Sequence, residues 1–390
     1  SAASAASAAS AHGVLIFLPG TREIQDVMDA LLATPALMST GPAQRDWVLA
    51  LHGALPPDEQ RRVFERPPEG VTKVVLATNV AEASITIDDI GIVIDSGRVK
   101  EERYDAARRM ASLEDVLVSA ASAKQRRGRA GRVQPGLAFH LFPSKGVSLA
   151  THTQPEVRRV GLEQLVMRTK ALKLPGRAAY TCSMLPEPPS SGAVEGAVAD
   201  LTALGALQPS DEALTPLGRL LARLPVDAKL GKLLLLGTCL GAADEALTLA
   251  AALSSRSPFL SPAEPSARAA ADESKRAFAG SAQSDHLAAL AAYSQFDALG
   301  KGDARFAFAR ERFLGIKTLQ AIGSLKRQLL EAMSHANLAP PNLRANVVED
   351  IGRRQGDGTD GVRLALGQTL TPPTELLTGI LAGALFPQLA

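Results

Sequence analysis

The sequence predicts an α/β domain built on an open, doubly wound parallel sheet, followed by mainly helical domains. Two observations predict it. Over residues 13–150, short apolar runs closed by turn residues alternate with segments of helical period. After Thr151 the apolar residues recur at helical spacing instead. The first pattern gives a parallel sheet with helices on both faces, the second gives helices packed along one apolar stripe.

Ser1 to Ala11 repeats Ser-Ala-Ala and offers no side chain able to build a core, so residues 1–12 read as a linker. Val14 to Leu18 is a continuous apolar run closed by Pro19-Gly20, a strand buried on both faces. Ile24, Val27, Met28, Leu31 and Leu32 then fall on one helical stripe, with Thr21 as N-cap. Val48 to Leu51 is a second strand. Pro56-Pro57, followed by Asp58 and Glu59, opens a short helix ending at Phe64. Lys73 to Ala77 is a third strand, followed by the polar loop Thr78 to Ser84, and Ile90 to Ile94 is a fourth. In such sheets functional residues lie on loops beyond the strand C-termini, which singles out His52-Gly53 and Thr78-Asn79.

Arg98 to Ser119 holds two strand-like pieces, Val99–Tyr104 and Ala111–Val118, around Asp105-Ala106-Ala107-Arg108-Arg109. This reads as a projecting hairpin. Lys100, Arg103, Arg108 and Arg109 are candidates for phosphate contact, although Glu101 and Glu102 dilute the charge, and a merely solvated hairpin fits equally well. Leu137 to Phe142 is the last strand.

Pro155 to Thr169 reads as a helix, and Val194, Val198, Leu201 and Leu204 mark another. A short β element at Leu214–Gly218 between helices suggests a small winged-helix-like unit over residues 151–228. Lys229 to Leu253 supplies two buried helices, and Ser254 to Ala282, rich in Ser, Pro and charge, reads as a loop. His286 to Ala332 is helical again; its stripe Leu319, Ile322, Leu325, Leu329 is core packing, and His286 is a capping or surface residue. Residues 229–336 thus form a helical bundle. Residues 337–390, punctuated by Pro, Gly and Asp, read as a linker with one last helix at Leu376–Leu385.

The 390 residues suit about two to four domains, and a 46% hydrophobic share is ample for their cores. Aromatics at 4% argue against broad base-stacking platforms. The net charge of +2 confines any basic surface to a local patch. Cys182 and Cys239 lie far apart and without metal-ligand spacing, as expected of reduced thiols in an intracellular protein. No run reaches the length of a membrane span, so no membrane partner is expected. The chain starts at Ser1, which suggests a fragment of something longer.

The densest cationic block is Gln125-Arg126-Arg127-Gly128-Arg129-Ala130-Gly131-Arg132. Continued as a helix, it sets Gln125, Arg129 and Arg132 at i, i+4 and i+7, on one face. That face offers one neutral hydrogen-bonding group and two guanidinium forks that stay charged. Gly128 and Gly131 remove bulk between the arginines, so another surface can come close. Such a face suits a triphosphate approaching its transition state. A solvated basic face is the alternative, but two glycines inside a helical charge run cost stability without obvious return.

Four blocks, in order and spacing, resemble the second RecA-like domain of the DEAH-box (DEAH/RHA, superfamily 2) ATP-dependent RNA helicases. They are Val14–Ile24 (VLIFLPGTREI), Leu51–Phe64 (LHGALPPDEQRRVF), Lys73–Asp89 (KVVLATNVAEASITIDD) and Gln125–Arg132 (QRRGRAGR). The resemblance continues through Leu214–Lys232, similar to the family's winged-helix to bundle junction, and reaches Phe313–Leu329, similar to the end of its ratchet-like bundle. Arg103-Tyr104-Asp105 and Ser112-Leu113-Glu114-Asp115 look closest to the large cytoplasmic, multi-domain members. The resemblance implies an intracellular protein, cytoplasmic or nuclear.

It also implies roles. Arg129 and Arg132 match the arginine fingers, and Gln125 the glutamine beside the γ-phosphate and attacking water. Phe64 matches the aromatic that stacks on adenine, a residue otherwise read as core, and Asp88 a ribose contact. Gly53, Thr78 and Asn79 match contacts to the RNA backbone, which suit phosphate oxygens without reading bases. The hairpin, with Lys100 and Arg103, matches the element near the strand-separation point. Ala83 and Pro19 depart from the pattern, each standing where many members carry Thr. The chain contains no G-x-x-x-x-G-K-[ST] loop and no Asp-Glu-Ala-His box. The family keeps both on its first RecA-like domain, together with the ligands of the Mg2+ that accompanies ATP. The implied partners are therefore RNA, that N-terminal domain and possible protein activators. This chain alone is expected to hydrolyse ATP negligibly. An OB-fold is expected after Ala390.

Overall fold

The computed structural model describes residues 13–35, 42–53, 55, 57–83, 86–105, 110–132, 135–262, 264–300, 302–355 and 361–386. The expected linker at 1–12, and Arg108 and Arg109 at the hairpin tip, lie outside the described residues. The chain divides into two compact units, Ser1–Gly161 and Leu162–Ala390.

The first unit is built on a five-stranded sheet in the order β2-β3-β1-β4-β7, every pair parallel. Its strands are β1 (Gly13–Phe17), β2 (Val48–Leu51), β3 (Val74–Ala77), β4 (Ile90–Asp95) and β7 (Leu137–His140). Alternation within each strand sends side chains to both faces. Leu15, Phe17, Leu49, Leu51, Val75 and Ala77 pack on one face with Val63, Ile87 and Ala130. Val48, Val74 and Leu76 pack on the other against Ile24 of α1 (Thr21–Ala33). Apolar burial on both faces explains why these strands read as continuous apolar runs. Gly20, not Thr21, holds the N-cap position of α1, and the short helix expected to end at Phe64 is α2 (Pro57–Arg61) with a 3-10 turn at Arg62–Phe64.

The antiparallel hairpin is β5 (Arg98–Asp105) with β6 (Met110–Leu117), in register from Arg98↔Leu117 to Asp105↔Met110. Its base is anchored by Val99 and Val118, which pack on Ala123; near its far end Tyr104 N–H donates to Arg159 O at 2.7 Å.

The second unit is helical. Around an isolated bridge, Leu207↔Leu214, lie α4 (Glu163–Ala171), α5 (Ala178–Ser183), α6 (Ser191–Ala203) and α7 (Pro216–Leu221). The helix expected over Pro155–Thr169 is a 3-10 turn at Glu156–Arg158 followed by α4. Pro155 donates no N–H, and Gly161 stands just before the start of α4. Next come α8 (Ala228–Cys239), α9 (Ala243–Leu253), α10 (Pro265–Ala279), α11 (Asp285–Ala298), α12 (Asp303–Glu311) and α13 (Ile316–His335). Helix α10 corrects the loop expected over Ser254–Ala282. Its Ser and charge content hid an alanine-rich helix opened by Pro265 and capped by the Glu264 carboxylate, which accepts from Ala267 N–H at 3.2 Å.

The expectation of a linker over residues 337–390 is also corrected. Helices α14 (Ala345–Gln355), α15 (Val362–Ala365) and α16 (Thr374–Leu385) belong to the bundle core. Val348, Val362, Leu377, Ile380 and Leu381 share one apolar cluster with Leu233, Leu247 and Leu330. A polar lock adds to it: Gln368 Nε2 donates to Glu245 at 2.7 Å, and Arg363 pairs with Glu245. Turn residues at the helix ends masked an apolar stripe that becomes visible only with its partner, α8. No helix among the described residues is long and apolar enough to cross a membrane.

Ile380→Ala should lower the unfolding free energy by about 2–5 kcal/mol, the cost of a buried large-to-small change. Urea denaturation measures it; a loss below about 0.5 kcal/mol, normal for a surface residue, would restore the linker reading.

Candidate functional site

The two groups of candidate residues sit at opposite edges of the sheet. Gly53, Thr78 and Asn79 follow the C-terminal ends of β2 and β3. Thr78 N–H closes the edge by donating to Leu51 O at 3.1 Å, which leaves its hydroxyl as the group to offer. Asn79 is exposed, and a side chain built on Gly53 would meet nothing within 4 Å. This edge therefore presents one hydroxyl, one amide and open backbone, all suited to phosphate oxygens.

The other edge carries Phe64, Asp88, Arg129 and Arg132. Helix α3 (Ala120–Arg127) is capped by Ser119, whose hydroxyl accepts from Ser122 N–H at 3.1 Å. It stops at Arg127, so the continuous helix to Arg132 expected from the sequence is corrected. Two glycines within four residues weaken the helix, and Arg129 and Ala130 donate to carbonyls three residues back. Gly136 explains the tightness of the return into β7: a Cβ there would lie 2.3 Å from Ala130 O and 2.6 Å from Gly91 O.

The turn nevertheless gathers Arg129 and Arg132. Both line one small cleft with Leu15, Ala81, Thr86, Ile87 and Ile90. Burial first, then the neighbouring Arg132, pushes the Arg129 pKa down, and Glu82 opposes them. Two neighbouring guanidiniums that repel each other favour an anion between them. Gln125 is exposed on α3 and is not among the cleft residues. Asp88 is exposed, two residues after Thr86, and Phe64 is 52% exposed beside fully buried Val63.

Lys100 is engaged elsewhere. Its ammonium lies 2.9 Å from both oxygens of Glu23, and that hydrogen bond lowers the Glu23 pKa. A Cβ on Gly20 would meet Glu23 Oε2 at 2.7 Å and Lys100 Nζ at 2.8 Å, so a side chain there would displace the ends of the pair. Lys100 thus fastens the hairpin to α1. Arg103 faces Glu114 across the hairpin at 3.5 Å with both side chains half exposed, so it remains accessible.

The sequence reading passed over Arg126. Its side chain is fully buried, donating to Asp95 Oδ1 at 2.9 Å, to Glu82 Oε2 at 3.0 Å and to Arg98 O at 3.1 Å. Its guanidinium sits 4.9 Å from the Phe17 ring centroid. One arginine therefore ties α3 to β1, β4, β5 and the loop after Thr78. A signal existed: Arg126 lies three residues after apolar Ala123, on the inward face of α3, while Gln125 points outward. The second buried cation, Lys73, was likewise read only as the start of a strand.

The fold and the matched family models define a RecA-like helicase domain followed by helicase-associated domains. Residues 4–134 match the helicase conserved C-terminal domain. Residues 197–226 match the winged-helix part of the helicase associated domain (HA2), and residues 227–289 its ratchet-like part. Among curated proteins, mouse "Putative ATP-dependent RNA helicase DHX57" is 43% identical, over 96% of this chain and 27% of that protein. Arabidopsis thaliana "DExH-box ATP-dependent RNA helicase DExH1" is 41% identical, over 82% and 32%. Rat "ATP-dependent DNA/RNA helicase DHX36" is 38% identical, over 86% and 34%. The chain belongs to the DEAH-box helicase family and corresponds to the C-terminal half of such a helicase. It spans about a quarter to a third of the length of these relatives.

Arg126→Met removes one member of a buried ion cluster and leaves the buried Asp95 carboxylate without its guanidinium. It should cost about 3–5 kcal/mol in thermal or chemical unfolding of the first unit. A cost below about 1 kcal/mol would show that Arg126 is not the tie described.

Proposed function

We propose that this chain supplies the second motor lobe, with its accessory domains, of an ATP-driven RNA helicase. Arg129 and Arg132 reach the phosphates of a nucleotide held mainly by a first RecA-like lobe, and Gln125 orients the attacking water from the exposed face of α3. Phe64 stacks on the adenine and Asp88 meets the ribose. The Mg2+ that travels with ATP is held by the other lobe; its charge helps neutralise the phosphates. Gly53, Thr78 and Asn79, with Arg103 on the hairpin, touch the RNA backbone. Nucleotide binding closes the lobes, hydrolysis reopens them, and the protein steps 3′ to 5′ along single-stranded RNA. The helical second unit, Leu162–Ala390, supplies the winged-helix and ratchet-like domains that line the RNA path. The protein works inside the cell, and protein activators would act on lobe closure.

The observation that carries this reading is the shared cleft of Arg129 and Arg132 at one edge of the sheet. Paired guanidiniums are worth little to a solvated surface but several powers of ten to a phosphoryl transfer. Alone, without a phosphate-cradling loop, they act on nothing, so the isolated chain is inert towards ATP. One of these relatives is named a DNA/RNA helicase. Backbone-directed contacts tolerate either polymer, which supports a second reading as a DNA-directed helicase. ATPase stimulation by RNA against single-stranded DNA separates the two.

In a chain carrying both lobes, Arg132→Ala should lower kcat for ATP by about 10³-fold or more, the usual worth of a finger arginine. The melting temperature should stay within about 2 °C, since Arg132 is exposed. A loss of only a few-fold in ATPase would remove Arg132 from the phosphate site.

A further inference from the structure

Lys73 stands just before β3, and its side chain is wholly buried. Its ammonium has three protons and three acceptors. Val63 O and Glu65 O each lie 2.8 Å from Nζ, and Asp89 Oδ1 lies 2.7 Å away. The two carbonyls bracket Phe64, and the carboxylate belongs to the residue after Asp88. One buried cation thus grips both segments that carry the proposed nucleoside contacts.

The backbone around it is fixed as well. Val14 N–H donates to Lys73 O at 2.8 Å and Gly13 N–H to Asp89 O at 2.7 Å, so β1 is seated between the two partners. Gln44 clamps the preceding residue: its Nε2 donates to Thr72 O at 2.6 Å and its Oε1 accepts from Thr72 N–H at 3.0 Å. Arg62 reaches Asp46 O at 3.0 Å. Phe64 therefore carries a largely exposed ring on an immobilised backbone. An exposed aromatic normally costs solubility, and a rigid one suits stacking on a flat ligand.

Replacing Lys73 and Asp89 together by apolar residues of similar volume would be neutral or stabilising, since buried ion pairs seldom stabilise more than hydrophobic replacements. What an apolar residue cannot do is draw Val63, Glu65 and Asp89 to one point. We propose that Lys73 is a positioning residue that sets the spacing between Phe64 and Asp88, and so the grip on the nucleoside half of ATP. The proposal rests on the base and ribose roles given above to Phe64 and Asp88.

The test uses a chain carrying both lobes and compares Lys73→Met, Asp89→Asn and Phe64→Ala. Each is scored by kcat, by KM for ATP, by the inhibition constant of inorganic tripolyphosphate and by melting temperature. Tripolyphosphate has no nucleoside and reports on the phosphate contacts of both lobes. Lys73→Met should raise KM for ATP by about tenfold with kcat within about twofold, because uniform binding is lost. The tripolyphosphate constant should not move. An unchanged KM, or a tripolyphosphate constant that rises equally, overturns the proposal. If Lys73→Met fails to fold, Asp89→Asn decides, since it keeps an acceptor but removes the charge. An unchanged KM in Asp89→Asn, or collapse of both variants, assigns Lys73 to stability alone and overturns the proposal. Phe64→Ala separates the premise: if it leaves KM for ATP unchanged, the stacking role itself is wrong. If it raises KM while folded Lys73→Met does not, only the inference about Lys73 fails.

Discussion

The first unit depends on one buried guanidinium. Arg126 holds two carboxylates, one backbone carbonyl and one aromatic face, with none of its side chain exposed. Desolvating such a charge is costly, and only several well-placed acceptors offset it. Each acceptor comes from a different part of the fold. Asp95 ends β4, Glu82 closes the loop that begins at Thr78, and Arg98 O opens the hairpin. The position of α3, and with it Gln125 and the turn bearing Arg129 and Arg132, follows from satisfying that one cation.

This arrangement gives the sheet two working edges. The C-terminal edge presents Gly53, Thr78 and Asn79, as expected for an open parallel sheet. The N-terminal edge presents Phe64 and Asp88, and the small cleft shared by Arg129 and Arg132. Glu82 belongs to the loop of the first edge, yet pairs with Arg126 and acts electrostatically on Arg129 at the second. A contiguous chain of polar contacts therefore runs through the lobe. Whether both edges bias it is a matter of measured coupling, not of adjacency.

Much of this was legible in the sequence. The apolar runs at Val14–Leu18, Val48–Leu51 and Ile90–Ile94 gave strands because burial on both faces leaves no polar alternation. The hairpin was visible from its paired strand-like segments. The grouping of Arg129 with Arg132 was anticipated, but for the wrong geometric reason. A helix was inferred where Gly128 and Gly131 allow a turn, and the turn brings the same two side chains together. Buried charge was illegible: Lys73 looked like a strand boundary and Arg126 like one more surface arginine. Their partners, Asp89, Asp95 and Glu82, are distant in sequence, so only tertiary structure shows that the charges are compensated. The last helix was anticipated at Leu376–Leu385, but those at 265–279, 345–355 and 362–365 were missed, because Ser, Pro and Gly at their ends outweighed apolar residues whose partners lay elsewhere in the chain.

The most direct measurement is a crystal structure of a chain bearing both motor lobes, bound to a non-hydrolysable ATP analogue. The account predicts Arg129 and Arg132 within about 3 Å of the terminal phosphate oxygens, with Arg126 still held by Asp95 and Glu82. A bound nucleotide whose phosphates lie away from both arginines, with the lobes closed, would contradict it.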